Sequence, residues 1–398
     1  MITVFLLALI YLAFISLGLP DSLIGVTWPA IRAEWGMPLD AAGLITIIVS
    51  GNTIISTLMS GYLIKKIGTG KITYISCFLT GGALLGFSFS QSYFWLIILA
   101  IPLGFGAGSV DAALNNYVAL HFKAHHMNWL HSFWGIGATL GPLIVSATIS
   151  KTESWRSGFR VISIIQLSLA VVLLFSYPLW NMHQKQIDIE EKKKDKDQGD
   201  IDKNTEKKKK KIFRIRGVKA AIATFIFYVA TELSVGLWGS SFLVHVKNIS
   251  IETAATWIAM YYGGITLGRF ISGFVSFKLK NTQMIRIGIL MALTGTVLFS
   301  LPLPDFMLFI CLILMGLGLA PIFPSMLHET PRRFGKEYSQ TIIGYQMGFG
   351  YIGSTFLPPL VGVILENTTM TLFPFFLIAF IILMLFFSES IRNIKYSK

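Results

Sequence analysis

The chain has 398 residues, 54% of them hydrophobic and 13% charged, with a net charge of +13 and a mean hydropathy of +0.66; an average soluble domain carries about 25% charged residues. Of the charged residues, 22 crowd between Asn181 and Lys219, leaving 31 for the other 359 positions, too few to build a water-soluble surface. This composition excludes a soluble enzyme, a disordered chain and a disulfide scaffold, since Cys77 and Cys311 both sit in apolar runs.

A hydrocarbon core about 30 Å thick takes about 20 apolar residues of helix. The chain offers twelve such spans, at 3–31, 39–64, 72–90, 93–120, 127–150, 158–180, 217–245, 253–277, 283–302, 305–328, 339–364 and 370–389. The first has no basic leader region and no small-residue cleavage site, so it reads as a retained span and not a signal peptide. Within it, Gly18-Leu-Pro-Asp-Ser-Leu-Ile-Gly25 predicts a broken helix, because Pro20 removes a helical hydrogen bond. A carboxylate beside such a break, Asp21, is a candidate proton or ion position; the alternative is a hydrated Asp at the outer end of the span.

Span 4 carries Asp111 one turn before Asn115, with Gly108 and Ala112 beside them. A buried carboxyl of this kind is a candidate proton carrier, the alternative being a purely structural hydrogen bond between helices. Gly104-Phe-Gly-Ala-Gly108 lies inside the same span and reads as close helix packing, not as a nucleotide turn. His121, His125 and His126 follow at the loop without a carboxylate or Cys to complete a set, so no metal site and no cofactor are expected. No phosphate-loop motif is present, which argues against an ATP-driven pump. Span 5 presents Asn128, His131 and Trp134 at helical spacing, a face suited to a polar ring.

The segment 181–216, with Lys207 to Lys211 in a row, reads as a solvated, charged linker between an N-terminal bundle, 1–180, and a C-terminal bundle, 217–398. Span 7 then contributes Glu232, a further candidate for proton or ion coupling, and Trp238, and span 8 contributes Tyr262 and Arg269; Trp238 and Tyr262 are candidate solute contacts, and Glu232 and Arg269 are candidates for an ion pair that closes a gate. Asn116, Asn52, Gln166 and Gln346 are further polar candidates inside spans.

Two echoes link the halves. Gly61-Tyr-Leu-Ile-Lys-Lys66 returns 212 positions later as Gly273-Phe-Val-Ser-Phe-Lys278, and Gly137-Ala-Thr-Leu-Gly-Pro142 returns 216 positions later as Gly353-Ser-Thr-Phe-Leu-Pro358. Near-equal offsets imply a duplicated six-helix unit, an arrangement that secondary transporters use with the solute site between the halves. Lys66 and Lys278, which end the first pair of motifs, are candidate gate residues. With both termini in the cytoplasm, 27 Lys/Arg fall on that side and five in outer loops, so the basic excess is explained by orientation in a plasma (inner) membrane without a nucleic-acid partner.

These motifs resemble the major facilitator superfamily, and within it the fucose/galactose/glucose:proton symporter branch. Four stretches carry the resemblance: Gly106-Ala-Gly-Ser-Val-Asp111-Ala-Ala-Leu-Asn115-Asn-Tyr-Val, Asn128-Trp-Leu-His-Ser-Phe-Trp-Gly135, Tyr228-Val-Ala-Thr-Glu232-Leu-Ser-Val-Gly236-Leu-Trp238, and Gly268-Arg269-Phe-Ile-Ser-Gly273. The resemblance implies an all-α membrane protein, twelve transmembrane helices in two pseudo-symmetric six-helix bundles, and alternating-access symport of a monosaccharide with H⁺, or with Na⁺. It gives Asp111 the role of the span-4 proton-linked carboxylate. The branch's span-1 acidic position corresponds to Gly25, so Asp21 lies one turn early. Lys65 stands where the superfamily's loop motif has an Asp, and His131 and Trp134 replace two amides. The expectation is therefore a monomeric carrier of a sugar or similar small polar solute. The competing readings are a proton-coupled antiporter exporting a drug or metabolite, on the partial motif Gly137…Gly141-Pro142, and a non-transporting membrane receptor.

Overall fold

The computed structural model describes residues 2–21, 23–38, 41–152, 154–183 and 212–394. The lysine run 207–211 and most of the expected linker lie outside the described residues. The described chain is helical throughout, as the span pattern requires: with no water to satisfy backbone groups, apolar segments in a bilayer close their hydrogen bonds within the helix.

The first span is two helices, α1 (Ile2–Gly18) and α2 (Leu23–Trp35). The expected break at Pro20 is present. Asp21 N–H bonds the Gly18 carbonyl at 3.2 Å and Leu23 N–H bonds the Pro20 carbonyl at 3.1 Å, so a tight turn joins the two. There follow α3 (Ala41–Ile67), α4 (Thr69–Phe89), α5 (Tyr93–His121), α6 (Ala124–Thr152) and α7 (Trp155–Phe175). The second half consists of α8 (Val218–Lys247), α9 (Ile251–Val275), α10 (Asn281–Ser300), α11 (Asp305–Leu319), α12 (Ile322–Phe334), α13 (Lys336–Glu366) and α14 (Phe373–Ser390). Here too one span is split: α11 and α12 meet at Ala320-Pro321.

Eleven helical segments among the described residues are long and apolar enough to cross a membrane. The twelfth expected span is the 25-residue α9, whose Arg269, paired tyrosines and glycines make it less apolar than the others. Twelve spans in two six-helix bundles account for the described residues.

Small residues set the closest helix crossings. A methyl group on Gly137 or Gly141 of α6 would collide with the carbonyls of Ile15 and Leu19, so α1 lies directly on α6. In the same way Gly104 and Gly108 of α5 meet α3 backbone, and Thr53 and Thr57 hydroxyls donate to their carbonyls at 3.1 and 3.3 Å. The glycines of the partial antiporter motif therefore have a packing role.

The two halves touch along the Lys/Arg-rich end of the bundle. Gly61 packs on Thr341, Gly344 on Thr57 and Ser60, and Gly348 on Leu58. His328 Nε2 donates to the Phe122 carbonyl at 2.9 Å, Ser339 Oγ to Asn116 Oδ1 at 3.0 Å, and Trp129 Nε1 to the Phe270 carbonyl at 3.3 Å. This seam ends near the middle of the bundle, and a cavity begins there.

Candidate functional site

The cavity holds ≈ 390 Å³ between the halves and extends away from the seam, past Asp21, Thr46, Leu233 and Thr355. Its floor carries Asp111, on α5 at the level where small residues bring α5 against α3. Asn115, one turn on, donates Nδ2–H to Asp111 Oδ1 at 2.8 Å. The other oxygen, Oδ2, accepts the hydroxyl of Tyr351 from α13 at 2.7 Å. Asp111 belongs to the first half and Tyr351 to the second, so this hydrogen bond spans the interface. His131 Nε2 meets Asn115 Oδ1 at 2.9 Å, and because Asn115 uses its amino group on Asp111, that nitrogen of His131 is the donor. The imidazole is wedged edge-on between Phe14 and Phe323, with ring centroids 5.5 and 4.9 Å away.

A second cluster lies beside it. The break between α1 and α2 presents Asp21 to the cavity, and Trp134 Nε1 donates to Asp21 Oδ2 at 2.9 Å. The face of the same indole lies 5.7 Å from the guanidinium carbon of Arg269. Arg269 pairs with Glu232 at 3.7 Å and donates Nη2–H to the Tyr228 hydroxyl at 3.3 Å. A path of side chains thus runs from a carboxylate of the first half, through an indole, to an ion pair of the second. Buried charges of this kind are retained in a membrane interior where they are paired or serve a pathway.

The cavity therefore gathers Asp21, Asp111, His131, Trp134, Gln166, Glu232 and Arg269 from the sequence-derived candidates. Others lie elsewhere. Asn115 sits beneath the floor, fully buried. Asn116 belongs to the seam through Ser339, and Gln346 accepts from Thr330 Oγ1 at 2.8 Å inside the second half. Asn128 caps its own helix turn by donating to the Ala124 carbonyl, as Asn52 does to Ile48. Trp238 donates to the Pro358 carbonyl at 2.8 Å, anchoring α8 to α13, and Tyr262 stacks edge-on against Tyr261 at 5.1 Å. Lys66 and Lys278 are exposed at the basic end, with Lys66 Nζ 5.8 Å from the Tyr62 ring; the contacts that join the halves there come from other residues.

Among the cavity residues that the sequence reading did not single out are Tyr228 and Tyr351. A tyrosine in an apolar span carries no charge to mark it. The one available signal for Tyr351 was the repeat: an offset of 216 sets it opposite Gly135, next to Trp134.

A broken first span, paired half-bundles and charged side chains converging between them define a polytopic membrane transporter. The chain matches the Major Facilitator Superfamily over residues 10–358 and, in a second match, 220–397, and it belongs to that family; it is a transport protein and not an enzyme. Among its relatives is the "Cis,cis-muconate transport protein" of Acinetobacter baylyi, 23% identical over 364 residues, covering 88% of this chain and 85% of that one. Another is the "Glucose/mannose transporter GlcP" of Bacillus subtilis, 21% identical over 325 residues, covering 79% and 77%. Among solved structures, the major facilitator transporter FucP in its outward conformation superposes with a TM-score of 0.73 at 14% identity, covering 96% of this chain and 97% of that one. The likeness of fold to that structure thus extends over nearly the whole chain.

Proposed function

We propose that the protein is a proton-coupled symporter that imports a small polyhydroxylated solute by alternating access, working as a single chain in the plasma membrane with both termini in the cytoplasm. The observation that carries this reading is the Tyr351–Asp111 hydrogen bond across the two halves, at the floor of a cavity closed on the basic side. An ionised Asp111 accepts a charge-assisted bond from Tyr351, roughly twice as strong as a neutral one. A proton on Asp111 weakens that tie and removes a charge that is costly to carry through a low-dielectric interior. Loading the proton thus loosens the halves at the moment the solute is bound, and releasing it inside restores the tie.

The coupling ion is H⁺ in this reading. Both Asp111 oxygens face hydrogen-bond donors, Asn115 and Tyr351, whereas a hard cation needs several oxygen ligands pointed at it. The cargoes named for relatives include glucose and mannose but also cis,cis-muconate, so the solute class is taken from this chain's own cavity.

The test is uptake of labelled solute into proteoliposomes under an inward proton gradient, with and without protonophore. Asp111→Asn is expected to abolish gradient-driven accumulation while preserving solute exchange. Loss of exchange as well would make Asp111 a solute ligand, and uptake that follows Na⁺ in place of H⁺ would replace the coupling ion.

A further inference from the structure

The hydrogen-bonding inventory of the cavity is lopsided. Four of its hydroxyls give their protons to helix carbonyls: Thr53 to Val49 and Gly104 at 2.9 and 3.1 Å, Thr80 to Ser76 at 3.0 Å, and Ser354 and Thr355 both to Tyr351 at 2.8 Å. Gln166, 1% exposed, donates its amide to the Ser16 carbonyl at 2.5 Å, and its Oε1 has no partner among the described residues. What these groups offer a solute is lone pairs.

Arg269 is the opposite case. It is 5% exposed, and a guanidinium carries five N–H donors. Its carboxylate partner, Glu232, stands at 3.7 Å, beyond hydrogen-bond reach, and its bond to Tyr228 is a long 3.3 Å. Its Nε has no partner among the described residues. The Trp134 ring covers it without accepting a hydrogen bond in the plane of the fork. A buried cation is stable when its donors are matched, and a planar carboxylate matches this fork with two parallel bonds.

We propose that the solute is a hydroxylated organic acid, an aldonate or uronate, whose carboxylate takes the Arg269 fork in place of Glu232 and whose hydroxyls donate to the acceptor-rich wall at Thr53, Thr80 and Gln166. This rests on the symport reading for its site and names the class of cargo. Arg269 is then a solute ligand, and Glu232 is the counter-ion that holds it between cycles.

The experiment uses the full chain in proteoliposomes under an inward proton gradient, with labelled D-gluconate and D-glucuronate set against D-glucose and D-mannitol. At least one acid is expected to accumulate tenfold or more above both neutral compounds. Arg269→Gln should abolish that uptake, and Arg269→Lys, which keeps the charge and loses the fork, should raise KM about tenfold with a smaller change in kcat. In detergent, the same acid should raise the melting temperature of the unmodified protein and not that of Arg269→Gln. Accumulation of glucose or mannitol without either acid overturns the assignment and leaves symport standing. So does acid uptake that Arg269→Gln and Arg269→Lys leave unchanged. Absence of both uptake and thermal shift with both acids overturns it whatever the neutral sugars do. Acid uptake that ignores the proton gradient and moves no protons instead sinks the symport reading and keeps the acid.

Discussion

At the scale of single residues, the site depends on groups with divided allegiance. Trp134 serves Asp21 through its N–H and Arg269 through its ring face. Trp134→Phe keeps a ring beside the guanidinium and removes only the donor, so it should alter the pH dependence of uptake more than the affinity for solute; equal loss in both would mean that the indole is simply a wall. Tyr351→Phe removes the bond to Asp111 without changing the shape of the cavity. A hydrogen bond to a charged group contributes about 1.5–3 kcal/mol, so the balance between conformations should shift about tenfold or more away from the present one. Distance distributions between spin labels on the two halves would read that shift, and an unchanged distribution would reduce the Tyr351 bond to a bystander. The charged members of this site were visible in the sequence because charges in apolar spans are rare. The tyrosines were not, since nothing in a linear pattern separates a phenol that meets a carboxylate from one that packs.

At the scale of elements, glycines position the machinery. α1 can deliver Asp21 to Trp134 only because Gly18, Gly137 and Gly141 let two backbones approach. Gly137→Ala should therefore overpack the α1–α6 contact, at a cost of about 1–3 kcal/mol. Gly82→Ala, where the added carbon meets nothing within 4 Å, is the control. Thermal unfolding in detergent should separate them, with only the first variant losing stability. The outer half-helix α2 is held differently: Glu34 accepts from Arg156 and Trp155, both at 2.7 Å, which ties α2 to α7. The sequence showed where the first span breaks, from Pro20, and that the halves repeat, from the paired glycine motifs. It did not show that Trp238 and Tyr262 lie outside the cavity. Which face of a helix turns toward the partner bundle depends on packing across hundreds of residues, and a span apolar on every side leaves no stripe to reveal it.

At the scale of the whole molecule, the conformation is one in which the basic end is shut and the cavity lies beyond it. Thr46 is exposed on the wall of that cavity, whereas Cys77 and Cys311 are both buried. A membrane-impermeant maleimide applied to the outer face should label Thr46→Cys and leave the native Cys77 and Cys311 unlabelled, and bound solute should slow the labelling; preferential labelling from the cytoplasmic face would reverse the proposed sidedness. The sidedness proposed here comes from the distribution of lysine and arginine along the sequence. The means by which the shut end is held is not marked in the sequence, because the named joining contacts come from His328, Ser339 and small residues and not from the charged Lys66 and Lys278.

The ion pairs described above, Arg269–Glu232 and Arg156–Glu34, each lie within one half, and the three bonds named above across the shut end are neutral: imidazole to carbonyl, hydroxyl to amide, indole to carbonyl. Mobile counter-ions screen exposed charges from one another, almost fully beyond about 8–10 Å at ordinary ionic strength, and they leave neutral hydrogen bonds and van der Waals seams largely alone. A carrier latched in this way should keep its turnover rate as the salt concentration inside the vesicle is raised at fixed osmolarity. Its opening would then answer to the load in the cavity and not to the ionic composition of the compartment it empties into.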